Sequence, residues 1–421
     1  MITYVPAIES RIKIASYHSP LTVYLKLTAA CVLSCNFCSQ NTESTASMQI
    51  DEVKRILKQL SEDGVIYIVY TGGEPLLHPH IGMILEYGRG LGFNQYLVTS
   101  GDLVWRKKYA SLIKFIDGMG ISLHGRKACH DELVGKCGSY DDVNRTLDAI
   151  RSFTSEVSVT INCTLVQKNT VYKEMLHLAK LASHNDCKLS FARMNVIGKG
   201  AALSELPDIN NVVKLIDRLI YDGYNVTLSN CIAPCTIDDR FRYLSHGCGA
   251  GIAAAAIEVN GDVKICSSAS LVLGNVKKQK FTDIWQNDIL CEFRKMEFLP
   301  IQCMTCSEVV KCRGGCHAES AGKFGENVCD AYASRYFENI WSYVKNKRMV
   351  PDEIKIRREG NSFVTATFPG RIMSDETLEI LRCLDGSITC EELLVESGHL
   401  ESIKELIISL AIDDLIVEVE E

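Results

Sequence analysis

Three cysteines, Cys31, Cys35 and Cys38, stand in a CxxxCxxC spacing within the run CVLSCNFC, directly after the strand-like segment LTVYLKL. A [4Fe–4S] cluster needs four ligands, so a three-cysteine site leaves one iron open to a chelating substrate. A structural zinc site would want a fourth protein ligand close by, yet no cysteine or histidine follows within the next 39 residues. A second strand-like run, VIYIVY, leads into Thr71, Gly72, Gly73, Glu74 and Pro75. Glycines let backbone groups approach a ligand closely, and a carboxylate beside them can receive an ammonium group.

Further along, Cys248 and Cys266 frame a C-x12-G-x4-C pattern around Gly261. Cys303, Cys306, Cys312 and Cys316 follow as C-x2-C-x5-C-x3-C, and Cys329 comes last. Of 19 cysteines, ten fall between residues 230 and 335, a loop-rich stretch where ligand bonds replace an apolar core. The total is odd and the chain long, which sets it apart from an extracellular disulfide scaffold; the thiols call for metal ligation or chemistry.

The elements that position these residues alternate from about residue 20 to 225. LTVYLKL, VIYIVY, QYLVTS, MGISL, VSVTINCTLV and KLSFARM are strand-like, with helical patterns between them, which implies a parallel sheet. One helix carries Val53, Ile56, Leu57 and Leu60 on a single face, and another carries Val143, Leu147 and Ile150 behind a capping Ser139. In such folds the functional loops lie at the C-terminal ends of the strands, where both motifs fall. Residues 340–421 return to ordinary patterning: EIKIRREG and NSFVTATF as a hairpin, then three helical segments, the last with Ile403, Leu406, Ile407 and Leu410 on one face, then LIVEVE as a strand.

Composition bounds the rest. With 421 residues, 47% hydrophobic and 23% charged, two or three globular domains are expected. No signal-like segment or membrane-length apolar run is visible, which predicts a soluble, cytoplasmic protein without a membrane partner. Residues 351–421 hold 17 acidic against 6 basic side chains, a net of −11, and the remainder holds 35 against 39, a net of +4. That tail has the wrong sign for a nucleic-acid partner, which needs Lys and Arg to neutralise phosphates.

The CxxxCxxC and GGEP motifs together resemble the radical S-adenosylmethionine (SAM) superfamily over about residues 20–225. The resemblance implies an α/β fold with a partial (β/α)6 TIM barrel and a [4Fe–4S] cluster on Cys31, Cys35 and Cys38. It further implies an open iron that chelates the amine and carboxylate of SAM, with Gly72, Gly73, Glu74 and Pro75 at its amino group. One electron from the cluster would split the sulfonium, and the resulting 5′-deoxyadenosyl radical would take a substrate hydrogen. Ser100 in LVTSG, Ser122 in ISLHG and Arg193 in FARMNVIGKG are the further SAM contacts implied, an arginine fork being suited to a carboxylate. His124 and Asp131 lie in ISLHGRKACHD; many peptide-modifying relatives carry Asp in place of His124, and a solvated loop histidine is expected there.

The later cysteines resemble the SPASM extension, which holds two further iron–sulfur clusters, for three [4Fe–4S] clusters in all. By that resemblance Cys248, Cys266 and Cys316 would bind the nearer auxiliary cluster, and Cys303, Cys306, Cys312 and Cys329 the farther. Two closed clusters need eight thiolates and the pattern supplies seven, so Cys235 or Cys231 is expected as the eighth. Cys163, Cys187, Cys291, Cys383 and Cys390 read as small buried hydrophobes, as do Cys129 and Cys137 unless one of these two, in a loop near the barrel mouth, is a catalytic proton donor.

The C-terminal order of hairpin and three helices resembles the winged-helix RiPP recognition element, whose members add a leader peptide as a strand to the hairpin edge. The chain is thus expected to divide into an N-terminal segment 1–19, a barrel 20–229, a SPASM domain 230–340 and a peptide-binding domain 341–421. Joined, the parts predict a maturase that installs an oxidative crosslink (thioether, carbon–carbon or ether) in a ribosomally made precursor, with flavodoxin or ferredoxin as electron donor. A sulfatase-type formylglycine maturase and a small-molecule radical dehydrogenase are the rival substrates, and a non-catalytic iron–sulfur peptide chaperone or electron carrier is the rival class.

Overall fold

Alternation along the first strand assigns its two faces. In β1 (Thr22–Thr28), Val23, Leu25 and Leu27 are fully buried, packed with Val53, Ile56, Leu57 and Leu60 of helix α1 (Ile50–Glu62). Tyr24 and Lys26 take the opposite face. This computed structural model describes residues 17–419 apart from 41–43, 154–156, 204, 297, 305, 307, 321–330, 352–355, 360–361, 366–371, 374, 399–400 and 413–415. Cys329 and residues 1–16 of the N-terminal segment lie outside the described residues.

Five more strands pair in parallel in chain order: β2 (Tyr67–Gly72), β3 (Asn94–Thr99), β4 (Gly118–Ser122), β5 (Ser158–Leu165) and β6 (Lys188–Arg193). Parallel neighbours need crossovers, supplied by α1, α2 (Ile81–Gly90), α3 (Lys127–Val134) together with α4 (Ser139–Phe153) between β4 and β5, and α5 (Tyr172–His184), while only the short turns Lys107–Ala110 and Ile113–Phe115 lie between β3 and β4. Val143, Leu147 and Ile150 of α4 are buried as expected, but Ser139 opens the helix with its side chain turned elsewhere. Helix α6 (Ile209–Tyr221) leads to a seventh parallel strand, β7 (Val226–Leu228), too short to stand out in the alternation.

The sheet also grows at its other edge. Strand β8 (Ala254–Ile257) pairs in parallel with β1, and β9 (Asp262–Lys264) and β10 (Val272–Asn275) follow antiparallel, giving ten strands in the order β10-β9-β8-β1-β2-β3-β4-β5-β6-β7. Glu258, just past β8, pairs with Lys26 at 2.7 Å and Lys264 at 3.2 Å. The cysteine-rich segment is therefore built onto the barrel's first strand, a union hidden in sequence because the β8 run AAAI is small-residue and only four long.

Helix α7 (Ala331–Val344) and β11 (Met349–Pro351) lead into an antiparallel sheet of β12 (Ile356–Glu359), β13 (Ser362–Thr365) and β14 (Ile372–Met373). The expected hairpin is β12–β13, and β14 adds a third strand. Helices α8 (Asp375–Cys383), α9 (Cys390–Glu396) and α10 (Glu401–Ile412) follow, and β15 (Ile416–Glu418) returns to pair with β11. A capping box starts α9: Glu392 N–H donates to Thr389 Oγ1 at 3.2 Å, and Thr389 N–H donates to the Glu392 carboxylate at 2.8 Å. Leu381, Leu384, Leu393, Ile407, Ile408 and Leu410 form one apolar cluster that continues into Phe337 and Trp341 of α7. Among the described residues no helix is long and apolar enough to cross a membrane.

Candidate active site

The loop that leaves β1 is held on two sides. Ser34 N–H donates to Val134 O at 3.0 Å and Asn36 N–H to Leu133 O at 3.1 Å, fixing it to the C-terminal end of α3. Lys199 N–H donates to Cys38 O at 2.9 Å from the segment that leaves β6. Cys31, Cys35 and Cys38 are all partly exposed. Burial pushes the Cys35 thiol up to about 12, with Cys38 and Cys31 adding to the rise; burial also raises Cys31, with Glu74 and Cys38 adding. Thiols raised in this way resist ionising, and a cationic iron cluster would supply the charge that reverses the preference. Backbone N–H groups of Leu33 and Gln40 approach Cys31 Sγ at 3.5 Å and Cys38 Sγ at 3.4 Å, a geometry that tunes a ligating sulfur.

The glycine pair leaves β2 directly against this loop. Gly73 N–H donates to Thr28 O at 2.8 Å and Glu74 N–H to Ala30 O at 2.7 Å. A Cβ at Gly73 would lie 2.2 Å from Ala30 O, and one at Gly72, where φ is +148°, would lie 2.2 Å from Thr28 O. No side chain fits at either position, so the glycines dock the β2 exit on the β1 exit. Glu74 departs from expectation. Its carboxylate is fully buried and accepts from Thr99 Oγ1 (2.8 Å), Ser100 N (2.8 Å), Ser100 Oγ (2.7 Å) and Leu76 N (3.2 Å). An ammonium would have to displace these donors, and Ser100, itself expected as a SAM contact, donates its hydroxyl to Glu74. Burial still pushes Glu74 up against the pull of those donors. Pro75 begins the short turn Pro75–Leu77 and is buried, and Ser122 ends β4, half-buried.

His124 is a correction. It is buried, with its ring 4.7 Å edge-on from Phe37 of the cysteine loop and stacked 5.6 Å from His130. Burial, then the neighbouring His130, lowers it to about 3, so it stays neutral. His124 N–H donates to His130 Nδ1 (3.1 Å), which leaves the His130 proton on Nε2, 3.1 Å from Ser139 Oγ. Ser139 Oγ in turn donates to the buried Asp102 at 3.0 Å. Asp131 accepts from Gly138 N–H (2.7 Å) and Tyr140 N–H (2.8 Å), closing the start of α4. The sequence held no sign of this chain, because its members come from four separate segments.

Cys129 lies within α3, buried among Phe37, Leu133, Val166 and Met194, and burial pushes its thiol up to about 11; only Cys137 is exposed of the two expected near the mouth. Cys163, Cys187 and Cys390 are buried as expected, whereas Cys291 and Cys383 are exposed. Arg193 is buried as well: Nε donates to Cys231 O at 3.1 Å and the guanidinium lies 4.7 Å over the Tyr332 ring. It faces the cysteine-rich segment.

The later thiols gather in two groups. Cys231 hydrogen-bonds with Cys248 and Cys316, and Cys266 packs against the same group, its thiol pushed up to about 12 by burial and then by Cys248 and Cys316. Cys235 lies apart from them, lining one cavity with Cys303, Cys306 and Cys312. Of the two candidates for an eighth thiol, Cys231 is the one beside Cys248, Cys266 and Cys316. Two links unforeseen in sequence join this region to the barrel mouth: Gln40 Nε2, just past the first loop, donates to Ser267 O at 3.0 Å, and Cys316 Sγ donates to Asn195 Oδ1, in the segment that leaves β6, at 3.6 Å. Among the described residues no three His, Cys, Asp or Glu side chains converge on a point that could hold a single metal ion. The ligands of a [4Fe–4S] cluster each meet a different iron, so such a cluster does not call for side chains that converge on one point.

A parallel barrel with three clustered thiols at the exit of its first strand and a docked glycine pair at the exit of its second is the framework of an enzyme that cleaves SAM reductively. The comparisons agree: the Radical SAM superfamily profile matches residues 25–182, and the SPASM iron-sulfur cluster-binding domain matches residues 248–307. The chain belongs to the radical SAM superfamily and carries a SPASM domain. The mycofactocin maturase MftC of Mycobacterium tuberculosis is 26% identical over 313 residues, 71% of this chain and 79% of its own. The AdoMet-dependent heme synthase of Oleidesulfovibrio alaskensis is 23% identical, over 78% of this chain and 88% of its own. Streptococcus suis SuiB, solved bound to precursor peptide SuiA, shares the fold with a TM-score of 0.64 at 21% identity, over 76% of this chain and 77% of its own.

Proposed function

We propose that this chain is a cytoplasmic peptide maturase that uses radical SAM chemistry to install an oxidative crosslink in a ribosomally made precursor. The observation that carries the reading is the docking of Gly72 and Gly73 against Thr28–Ala30, which brings the β2 exit to the cysteine loop of a barrel. Its likeness to MftC, named as a maturase, and to SuiB, solved with a precursor peptide, supports a peptide substrate.

In this reading Cys31, Cys35 and Cys38 hold a [4Fe–4S] cluster, and SAM bound to its open iron supplies, on one-electron reduction, a 5′-deoxyadenosyl radical that abstracts hydrogen. The chain's own residues prepare the site. Gly72 and Gly73 keep backbone groups where an amino group can reach them, Glu74 locks the β3 exit through Thr99 and Ser100, and Phe37 and His124 close the loop's apolar side. Cys231, Cys248, Cys266 and Cys316 hold the first auxiliary cluster, and Cys303, Cys306, Cys312 and Cys329 the second, a total of three [4Fe–4S] clusters. Held there, the auxiliary clusters would offer a path out for the electron removed from the substrate, and flavodoxin or ferredoxin would be the electron donor to the first cluster. The unit from residue 341 onward, with its β12–β13–β14 sheet, captures the leader by strand addition.

The test is mass analysis of a short peptide encoded beside this gene, before and after anaerobic incubation with SAM and reductant. A loss of about two mass units, one hydrogen from each newly bonded atom, supports a crosslink. An unchanged peptide, together with turnover of a porphyrin or other small substrate, supports the reading that the likeness to heme synthase favours.

A further inference from the structure

The cavity beside the second thiol group, about 370 Å³, has two walls. Cys235, Cys303, Cys306 and Cys312 form one. The other comes from far along the chain: Tyr336 and Phe337 of α7, and Ser409 and Ile412 of α10. Ser409 is 4% exposed although it lies in the last helix of the chain, so α10 presses into the molecule here.

The packing is continuous. Buried Cys312 belongs to the same apolar cluster as Phe337, Trp341, Leu381, Ile407 and Leu410, with Cys235 and Cys303 packed at its edge. Lys404 of α10 reaches Glu338 of α7 at 3.3 Å. Among the described residues the apolar core of the C-terminal helices runs into the wall that carries the thiols, and part of what buries them is that wall. An iron–sulfur cluster's potential and its resistance to water and oxygen depend on the shell that encloses it.

We propose that α10 is the outer wall of the chamber for the second auxiliary cluster, needed for that cluster's assembly and for its protection from solvent, whatever peptide the C-terminal unit also captures. The inference rests on Cys303, Cys306 and Cys312 being ligands, as proposed above. One consequence follows for any truncation: removing residues 350–421 takes away a wall of the chamber, so lost turnover in a truncated chain reports cluster damage as well as lost peptide capture.

The experiment uses the full chain, reconstituted without oxygen, with Ile412→Asp compared against Ile412→Val and the parent. Iron and sulfide content, the EPR spectrum of the reduced protein and the rate of bleaching in air are read together with 5′-deoxyadenosine release in the absence of peptide. The expected result is loss of about four of about twelve irons in Ile412→Asp, or parental iron that bleaches several-fold faster, with SAM cleavage kept and Ile412→Val like the parent. Parental iron content and parental bleaching in Ile412→Asp would overturn the proposal. Should Ile412→Asp not fold, the smaller breach of Ile412→Ala decides in the same way: faster bleaching supports the wall and a parental rate refutes it. Cys303→Ala separates the two levels. If it loses about four irons while Ile412→Asp is parental, only the wall fails; if it loses none, the ligand assignment beneath it fails too.

Discussion

The first thiol group and the two later ones are built on opposite plans. Cys31, Cys35 and Cys38 come from one loop of eight residues leaving one strand, docked on the glycines of the next. The later groups are collected from residues spread between 231 and 316 and are walled in by helices as distant as residue 412. A local site inherits its geometry from the sheet that carries it, whereas a collected site depends on every segment that contributes a wall. Damage to the first should thus be confined to its own chemistry, and damage to the second should spread to cluster content.

The sharpest way to break this contrast is Gly73→Ala. With no room for a Cβ 2.2 Å from Ala30 O, the two strand exits must separate, and SAM cleavage should fall by about 100-fold or more, as expected when a positioning group shifts by about 1 Å. The iron content of the later groups should stay intact, checked by metal analysis beside 5′-deoxyadenosine release. Next in size, Cys231→Ser should alter the EPR signature of one auxiliary cluster, and Cys235→Ser should leave that signature unchanged; the reverse outcome would exchange their places in the account.

Glu74→Gln should have a smaller effect. The amide puts an N–H₂ where the carboxylate now meets only donors, which costs about 1.5–3 kcal/mol at a buried charged acceptor. The expected readout is a lower unfolding midpoint and a raised KM for SAM, with the later clusters unchanged. Smallest is a pH effect at the His124–His130 stack, where burial holds the two rings down to about 3 and about 4. Both are lowered, so the unfolded chain takes up protons first as pH falls below about 6.5, and stability present above that value is lost toward pH 4. Each ring contributes a slope of at most about 1.4 kcal/mol per pH unit. Chemical unfolding between pH 7 and 5.5 should show the decline, and His124→Asn should reduce it.

How much was legible follows the same division. The six long parallel strands, the buried face of α1 and the hairpin at β12–β13 could be read from alternation and spacing, because each pattern is local. The joining of β8 to β1 could not, since a run of alanines carries no facing signal. Gly72 and Gly73 announced themselves as a contiguous pair, but the buried partners of Glu74 beside them could not be foreseen, because Thr99 and Ser100 leave the next strand. Cys231 and Cys235 are indistinguishable by spacing; only the chain's path separates them into different groups. His124 looks like a solvated loop residue in sequence and Arg193 like a partner for a carboxylate, and both are buried by segments that arrive from elsewhere, Phe37 against one and Tyr332 over the other.

The account turns on the first three thiols acting as a unit apart from the later ones. The most direct measurement is the Cys31→Ala, Cys35→Ala, Cys38→Ala triple variant, reconstituted without oxygen and assayed for iron and for 5′-deoxyadenosine released from SAM with dithionite. The predicted result is release at background with about one third of the iron gone. Undiminished release, or iron content equal to that of the parent, would contradict it.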